Sequence, residues 1–435
     1  MVILFVAAAL AALALLVGLH RYAYLRLVRD TTSGPGPVRR LGAAVFVAGP
    51  LLMVGAVASE RAGAPFWLQR TLSWPGFLWM PLGLYLVLAL LAGELVRPLL
   101  RRALERGAAR QGENEGPAPS GDTATAEPVG DTATAEPAGE TVVTEAVAGE
   151  VVAGEAAARP DPSRRLFVSR VVGGTAAAVA VGTVGYGTYG VLRGPRVKRV
   201  TVPLAKLPRS AHGFRIAVVS DIHLGPVLGR GFAQKVVDTI NSTQPDLIAV
   251  VGDLVDGSVK NLGPAAAPLA GLRARHGSYF VTGNHEYFSG AAQWVRQVRE
   301  LGIHPLENAR TELAGFDLAG VNDLQGESEG QGPDFGKALG DRDRTRACVL
   351  LAHQPVQIHE AVRHGVDLQL SGHTHGGQLW PGNFVAAAAN PTVAGLERYG
   401  DTQLYVSRGA GAWGPPTRVG APSDITVVEL ASPEA

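Results

Sequence analysis

The chain has 435 residues, too many for a single domain of typical size. Hydrophobic residues make up 46% of it and charged residues only 18%, so part of the chain is expected in a membrane. A net charge of +1 gives no global sign of a nucleic-acid or acidic partner. The single cysteine, Cys348, excludes an intramolecular disulfide and a thiolate zinc site, which leaves His, Asp and Asn as metal ligands.

Three apolar segments come first, at residues 2–19, 41–59 and 76–95. Each is about long enough to cross the hydrocarbon core of a bilayer, so we predict three transmembrane helices within residues 1–104. A signal peptide is the alternative for the first segment, but this segment lacks a basic start and a small-residue cleavage site before Arg21.

Arginines are distributed unevenly around these segments. Only Arg61 and Arg70 lie between the second and third segments, whereas the first connection and the stretch after the third segment are rich in arginine: Arg21, Arg26, Arg29, Arg39 and Arg40, then Arg97, Arg101, Arg102, Arg106 and Arg110. The positive-inside bias therefore predicts a multi-pass protein of the cell membrane, with the N-terminus outside and the arginine-rich stretches in the cytoplasm.

Residues 105–162 are rich in Gly, Ala, Thr, Glu and Pro, and the block at 121–128 recurs at 130–137. Such a composition offers too few large apolar side chains to offset the entropy of ordering, and two copies are too few for a repeat fold. We predict a disordered acidic linker here.

Residues 163–196 contain Arg164 and Arg165, followed by a weakly hydrophobic, glycine-rich segment at 171–192. Two interpretations remain open: an internally placed twin-arginine export motif, or the positive flank of a fourth transmembrane segment. Arginines and lysines are balanced on the two sides, so orientation rests on alternation from the first three spans. If the segment crosses the membrane, everything after Leu192 lies outside the cytoplasm.

Residues 197–435 are predicted to form one α/β domain. Short apolar runs at 214–219, 247–251, 279–282, 348–352 and 368–370 each end just before polar residues, and helical patterns at 231–240, 291–301 and 355–363 lie between them. This alternation predicts a layered α/β architecture, with the functional site outside the carboxyl ends of the strands. Residues 312–321, 403–407 and 425–430 are predicted further strands, in a second sheet.

The motif Ser-Gly-His-Thr-His-Gly-Gly-Gln at 371–378 contains two histidines one residue apart. In an extended backbone, residues i and i+2 point the same way, so His373 and His375 are expected to face one pocket as metal ligands. Two surface histidines in a loop are the alternative. Four further motifs rich in Asp, Asn and His stand upstream, which favours the metal site.

Together, the order Asp-x-His (221–223), Gly-Asp-x-x-Asp (252–256), Gly-Asn-His-Glu (283–286), His353 and Gly-His-x-His (372–375) resembles the calcineurin-like metallophosphoesterase superfamily. The string at 372–378 is similar to a bacterial membrane-associated branch, some members of which carry twin-arginine signals. The resemblance covers the domain at 197–435 and implies a β-sandwich flanked by helices, with a two-metal centre. It does not account for the first three spans.

By this resemblance, Asp253 bridges two metal ions. The resemblance gives the first ion Asp221, His223 and His375 and the second ion Asn284, His353 and His373. These nitrogen and oxygen ligands suit manganese, iron and zinc alike, so the identity of the metals stays open.

His285 follows the proposed ligand Asn284 and resembles the family's non-ligating histidine, which stabilises the transition state or protonates the leaving oxygen. Asp256 is then expected to orient its imidazole; a turn residue before Gly257 is the alternative. An arginine that phosphoprotein phosphatases of the superfamily carry after the second aspartate is missing, which argues against phosphoprotein substrates. Trp413 is a weaker candidate, expected either to flank a substrate or to cover the domain edge.

The predicted function is that of a hydrolase acting on phosphate esters, with a phosphorylated small molecule or a lipid-linked phosphate or pyrophosphate as substrate. The lipid is suggested by the location alone. One alternative is a nuclease or nucleotide phosphodiesterase, although no basic stripe interleaved with aromatic residues predicts a nucleic-acid partner. The other is a non-catalytic metal-binding scaffold of the same fold. Oligomeric state cannot be inferred from the sequence.

Overall fold

The computed structural model of the protein describes residues 2–114 and 164–433. Most of the predicted acidic linker at 105–162 lies outside the described residues, and its first ten residues continue a long helix. The α-helices in the described part of the chain are α1 (Val2–Tyr24), α2 (Pro37–Arg61), α3 (Phe66–Asn114), α4 (Arg164–Leu192), α5 (Arg230–Ser242), α6 (Val259–Ala266), α7 (Asn284–Ser289), α8 (Ala291–Glu300), α9 (Phe335–Leu339), α10 (Ile358–Arg363) and α11 (Gly382–Ala389).

The strands all follow α4. They are β1 (Arg196–Pro203), β2 (Phe214–Val219), β3 (Leu247–Val251), β4 (Ser278–Val281), β5 (His304–Pro305), β6 (Ala309–Glu312), β7 (Phe316–Gly320), β8 (Ala347–Leu351), β9 (Leu368–Ser371), β10 (Gly395–Tyr399), β11 (Thr402–Val406) and β12 (Asp424–Ala431).

These strands form two six-stranded sheets, in the orders β1-β12-β2-β3-β4-β5 and β10-β11-β9-β8-β7-β6. The central strands β2, β3 and β4 pair in parallel, and so do β7, β8, β9 and β11 in the second sheet. Since parallel neighbours end at the same edge of a sheet, the segments after β2, β3 and β4 emerge side by side. The segments after β8 and β9 do the same.

Alternating side chains along the strands face two different cores. In β2, Ile216 and Val218 join the apolar cluster between the two sheets, whereas Ala217 and Val219 join a cluster that packs under α5, α6 and α8. A third cluster packs α9 and α10 on the outer face of the second sheet. The domain is therefore a β-sandwich flanked by helices, which confirms the predicted fold class.

Four helices of the described residues are long and apolar enough to cross a membrane, by length and composition: Leu10–Arg29, Pro37–Arg61, Phe66–Arg106 and Arg165–Leu192. They overlap the three predicted spans and the segment at 171–192. Many of their large apolar side chains are exposed, among them Leu13 at 54% and Leu51 at 66%, as expected of surfaces that face lipid.

Helices α3 and α4 run antiparallel in close contact. Tyr85 and Leu86 of α3 pack with Ala180 and Val184 of α4, while Leu90 packs further along with Ala176. At Gly93 the approach is so close that a β-carbon would lie 2.6 Å from the Val172 side chain. Glycine is needed at this position to let the two helices meet.

The sandwich domain at 196–431 packs directly against these helices. The Tyr85 hydroxyl donates to the Trp380 carbonyl at 2.9 Å, and the hydroxyls of Thr188 and Thr417 lie 2.7 Å apart. Leu379 and Val419 pack against the cluster between α3 and α4. The sandwich therefore contacts helices α3 and α4 through side chains, in addition to its covalent connection to α4 after Leu192.

Candidate metal centre

All nine predicted site residues follow the carboxyl ends of five strands. Asp221 and His223 follow β2, Asp253 and Asp256 follow β3, Asn284 and His285 begin α7 after β4, His353 follows β8, and His373 and His375 follow β9. The first three segments come from one sheet and the last two from the other. β2, β3 and β4 are parallel to one another, and so are β8 and β9, so the loops after them emerge at the same edge of each sheet. The candidate ligand groups combine residues from both sheets, so the two sets of loops meet at one end of the sandwich.

The backbone of several of these residues is unusual. The φ angles of Asp221, His223, Asp253, His373 and His375 lie between 48° and 74°, in the left-handed region that non-glycine residues seldom occupy. Such conformations cost free energy and persist where the surrounding contacts over-determine them, most often at functional sites.

The expectation that His373 and His375 extend in parallel from a strand is wrong. Both residues have left-handed φ angles, and His375 begins a short 3₁₀ turn at His375–Gly377. As a result, the two imidazoles belong to different groups of possible metal ligands. The motif contributes one histidine to each group rather than two to one pocket.

The first cluster consists of Asp221, His223 and His375, whose candidate ligand atoms all lie within 4.8 Å of one another. Nε2 of His223 and Nε2 of His375 are 3.0 Å apart, and Nε2 of His375 is 3.4 Å from Oδ1 of Asp221. All three side chains are buried. Their ligand atoms therefore converge on one small, water-excluded volume.

The second cluster consists of Asp253, His353 and His373, again within 4.8 Å of one another. Nε2 of His353 lies 3.1 Å from Oδ2 of Asp253, and Nδ1 of His373 lies 3.0 Å from Oδ1 of Asn284. The predicted amide ligand thus sits beside this cluster. Asn284 and His373 are only half-buried, so the second cluster is the more open of the two.

Asp253 lies between the two clusters. Its Oδ2 atom is 3.1 Å from Nε2 of His353 and 3.7 Å from Nε2 of His223, and its Oδ1 accepts a hydrogen bond from the main-chain N–H of His285. A third group of candidate ligands combines Asp253 with His223 and His285. Asp253 thus belongs to the second and third groups and lies near His223 of the first.

The clusters have the chemistry of a cation site. Nδ1 of His353 lies 2.9 Å from the Val251 carbonyl, which can only accept, so Nδ1 is the donor and, in the neutral ring, the buried Nε2 carries the lone pair that can bind a metal. That lone pair forms no hydrogen bond, although a carboxylate oxygen of Asp253 lies beside it. Among the described residues, neither Asp221 nor Asp253 has a Lys or Arg partner. Two buried carboxylates facing imidazole lone pairs fit metal ions.

His285 and Asp256 form a separate hydrogen-bonded pair at the half-buried edge of the site, here called the rim. Nδ1 of His285 lies 2.7 Å from Oδ1 of Asp256. Burial lowers the pKa of His285, but the hydrogen bond and the charges of Asp256 and Asp253 outweigh it and raise this pKa to about 9. Burial raises the pKa of Asp256, yet contact with His223 and His285 brings it to about 2. Asp256 also accepts from Nδ1 of His223 at 2.9 Å, a contact that the sequence did not predict.

Glu286 belongs to the Gly-Asn-His-Glu motif, but sequence reasoning gave it no role. Its buried carboxylate accepts from the main-chain N–H groups of Asp253, Leu254 and Gly283 at 3.0, 2.7 and 2.7 Å. Burial and the charge of Asp253 raise its pKa to about 7. A β-carbon on Gly283 would lie 2.6 Å from the main-chain nitrogen of Asp253. The carboxylate and the glycine together hold the loops after β3 and β4 in register.

Arg418 is the other residue that sequence reasoning missed, because it stands in no recognised motif. It is buried and donates to the carbonyls of Gly411, His375 and Ala421 at 2.7, 2.9 and 3.1 Å. Its Nη2 atom lies 3.0 Å from Nδ1 of His375. Removal from water lowers the pKa of Arg418 to about 10. The guanidinium fixes the His375 ring so that Nε2 faces His223.

Two exposed aromatic side chains flank His285. The ring of Phe288 lies 5.5 Å from the His285 ring and the ring of Trp413 lies 5.7 Å from it, centroid to centroid. Phe288 is 59% exposed and Trp413 is 54% exposed. The open side of the site is therefore bordered by apolar surface, and Trp413 lies beside His285. That Trp413 flanks a substrate stays a prediction.

A model of the calcineurin-like phosphoesterase family matches residues 214–377, a range that contains all nine site residues. A protein of Danio rerio described as "Transmembrane protein with metallophosphoesterase domain" is 39% identical over 259 residues, 56% of this chain and 59% of that protein. A Bos taurus protein of the same description is 39% identical over 297 residues, 64% of this chain and 66% of that protein.

An Aquifex aeolicus protein described as "Uncharacterized metallophosphoesterase" is 35% identical over 240 residues, 54% of this chain and 91% of that protein. The chain belongs to the calcineurin-like phosphoesterase family, whose members are hydrolases acting on ester bonds. It spans less than two thirds of the length of the two vertebrate proteins. Their description and the four apolar helices support association with a membrane. The narrower resemblance to a twin-arginine branch stays a prediction.

We expect Arg418→Gln to weaken the binding of divalent metal by about 10- to 100-fold, the usual effect of removing a partner that orients a ligand. Zinc and manganese affinities of the full chain, measured by competition with a chromophoric chelator, check this. Arg342→Gln is the matched control, since Arg342 is equally buried at 6% and caps carbonyls away from the site. Equal metal affinity in the two variants would contradict the role of Arg418.

Proposed function

We propose that the chain is a dinuclear metal-dependent phosphoesterase. The observation that carries the proposal is the position of Asp253, a buried carboxylate whose Oδ2 atom lies 3.1 Å from Nε2 of His353 in one cluster and 3.7 Å from Nε2 of His223 in the other. A carboxylate has two oxygens and can serve two cations at once. We assign Asp253 as the bridge, with one metal ion also held by Asp221, His223 and His375 and the other by Asn284, His353 and His373.

When bound, two metal ions at such a centre supply a water of lowered pKa and neutralise charge on the phosphoryl group. Borderline nitrogen and oxygen ligands suit manganese, iron and zinc. The protein's own contribution is to fix the ligands. Glu286 and Arg418 hold the loops and the His375 ring, and burial of the carboxylates excludes bulk water from the ligand atoms.

In this proposal His285 acts as the general acid. Its Nδ1 atom is occupied by Asp256, so Nε2 is the atom free to deliver a proton to the leaving oxygen. A pKa raised to about 9 keeps the ring protonated at neutral pH, and Asp256 stabilises that charge. Since Asp256 also contacts His223, it orients a proposed ligand as well as the acid.

We further propose an amphipathic substrate, a lipid-linked phosphate or pyrophosphate. The rim beside His285 carries exposed Phe288 and Trp413, which suit an apolar group better than a nucleotide's polar sugar. Helix α11 follows the ligand loop closely and exposes Phe384 at 65% and Val385 at 73%. The neighbouring Trp380 carbonyl is bound by Tyr85 of α3, which supports a place for this apolar surface at the bilayer.

We propose the same organisation that the sequence predicted. Residues 1–104 provide three transmembrane helices, 163–196 provide a fourth, and 197–435 form the catalytic domain outside the cytoplasm. The arginine bias and the docking of the domain on α3 and α4 support this arrangement.

The first prediction concerns the bridge. Asp253→Asn should lose most of the bound metal and the phosphodiesterase activity together, because one amide oxygen cannot neutralise two cations. Elemental analysis and hydrolysis of bis(4-nitrophenyl) phosphate by the full chain measure both. Asp317→Asn is the control, since Asp317 of β7 is also buried but forms an ion pair with Arg346. Full activity with two metals retained would remove the assignment, and metal binding without activity in the wild-type protein would favour the scaffold alternative.

The second prediction separates ligation from acid catalysis. His285→Ala should keep both metals yet lose turnover of an alkyl phosphodiester by about 10²- to 10⁴-fold. On a nitrophenyl ester the loss should shrink, because that leaving group needs little protonation. His359→Ala, an exposed histidine on α10, should match the wild type on both esters. Equal deficits on the two esters would leave charge stabilisation as the role of His285, and loss of metal would make it a ligand.

The third prediction concerns orientation. A reporter active only outside the cytoplasm should be active when fused after Ala435, and a reporter active only inside should be active at Gly130. Enzyme assays in intact cells read both fusions. Reversal of both signals would mean that the arginine bias was misinterpreted, whereas cytoplasmic signals at both points would mean that α4 does not cross the membrane.

A further inference from the structure

A cavity of about 510 Å³ lies where α4 meets the sandwich. One wall is the last part of α4, with Tyr186 and Tyr189, and the other is the segment at 418–423 before β12. Arg193 and Arg196, just past the end of α4, line it too. None of the proposed metal ligands lines this cavity, so it is distinct from the catalytic site.

The cavity combines positive charge with apolar surface. Within the described part of the chain, Arg193 and Arg196 form no ion pair, and no lining residue is acidic. Gly182 and Gly190 line the cavity along with the two tyrosines, and a β-carbon on either glycine would meet nothing within 4 Å. Such a site suits an amphiphile with an anionic head and an apolar body.

Along α4, the positive charge of the cavity lies at one end and its apolar surface at the other. The cavity extends from Gly182, inside the apolar part of α4, to Arg193 beyond its end, which is roughly 16 Å at 1.5 Å per residue. Its apolar end therefore lies toward the hydrocarbon core, and its arginines lie at the level of the headgroups, where tyrosines are also enriched. This is the direction in which a phospholipid stands in a leaflet.

We propose that the cavity binds an anionic phospholipid, with the headgroup phosphate at Arg193 and Arg196 and an acyl chain along Tyr186 and Tyr189. The proposal rests on α4 crossing the membrane and not on phosphoester hydrolysis. In this proposal the bound lipid stabilises the contact between α4 and the sandwich. The two are closely packed there, since a β-carbon on Gly187 would lie 2.6 Å from the Arg418 carbonyl oxygen.

The test uses the full chain in a neutral detergent with short-chain phosphatidylglycerol or phosphatidylcholine. Phosphatidylglycerol at about 100 times its Kd should raise the thermal midpoint by about 5 °C, and phosphatidylcholine should raise it much less. The double variant Arg193→Gln/Arg196→Gln should lose this shift. Arg209→Gln/Arg275→Gln should keep it, because these two arginines are exposed on the same domain but outside the cavity.

A second variant distinguishes loss of the lipid site from misfolding of the protein. Gly190→Leu should fill the cavity without a clash, keep the midpoint of the lipid-free protein, and abolish the shift with phosphatidylglycerol. All variants should hydrolyse a soluble phosphodiester at the wild-type rate, so failure of this proposal is distinct from failure of the phosphoesterase assignment. Equal shifts with both lipids, or a shift retained in Gly190→Leu, would overturn the lipid site. The same shift with inorganic phosphate alone would make it a site for a free anion.

Discussion

The site depends on burying two carboxylates, Asp221 and Asp253, where no lysine or arginine of the described residues pairs with them. Charge removed from water is costly unless it is compensated. Here the neighbours are imidazoles whose Nε2 atoms face the carboxylates, and a cation held between these groups would compensate the buried charge. We therefore regard the proposed metals as part of what stabilises this end of the sandwich, and not only as catalytic groups.

The geometry around those carboxylates is maintained by residues that are not proposed ligands. Glu286 ties the loops after β3 and β4 through three main-chain N–H groups, and Arg418 holds His375 from the opposite side. Left-handed backbone at Asp221, Asp253 and His373 is tolerated because these hydrogen bonds determine it. Strain at the proposed ligands is thus offset by well-satisfied polar contacts beside them.

Helices α3 and α4 contact the catalytic domain at two segments that adjoin residues of the site. The stretch at 378–380 follows the His373–His375 loop and contacts α3, while the stretch at 417–419 carries Arg418 and contacts α4. Residues that position His375 are therefore within a residue or two of residues that meet the helices. This adjacency supports the proposed membrane-bound substrate and the proposed lipid in the neighbouring cavity.

Local sequence determined the apolar helices, the parallel central strands and the five motifs of the candidate site, because period, strand length and motif chemistry are encoded within a few residues. It did not predict β1, β5, β6 or β10, and the predicted strand at 312–321 is interrupted by a turn between β6 and β7. Local pattern did not determine which imidazoles meet; the grouping of His223 with His375, and of His353 with His373, was implied only by the family resemblance. His223 and His375 are 152 residues apart in sequence, and left-handed backbone sends His373 to the other cluster. The strand at 424–431 likewise pairs in the first sheet rather than the predicted second. Such pairings, like the contacts of Glu286 and Arg418, arise only when distant loops are brought together by the packed sandwich.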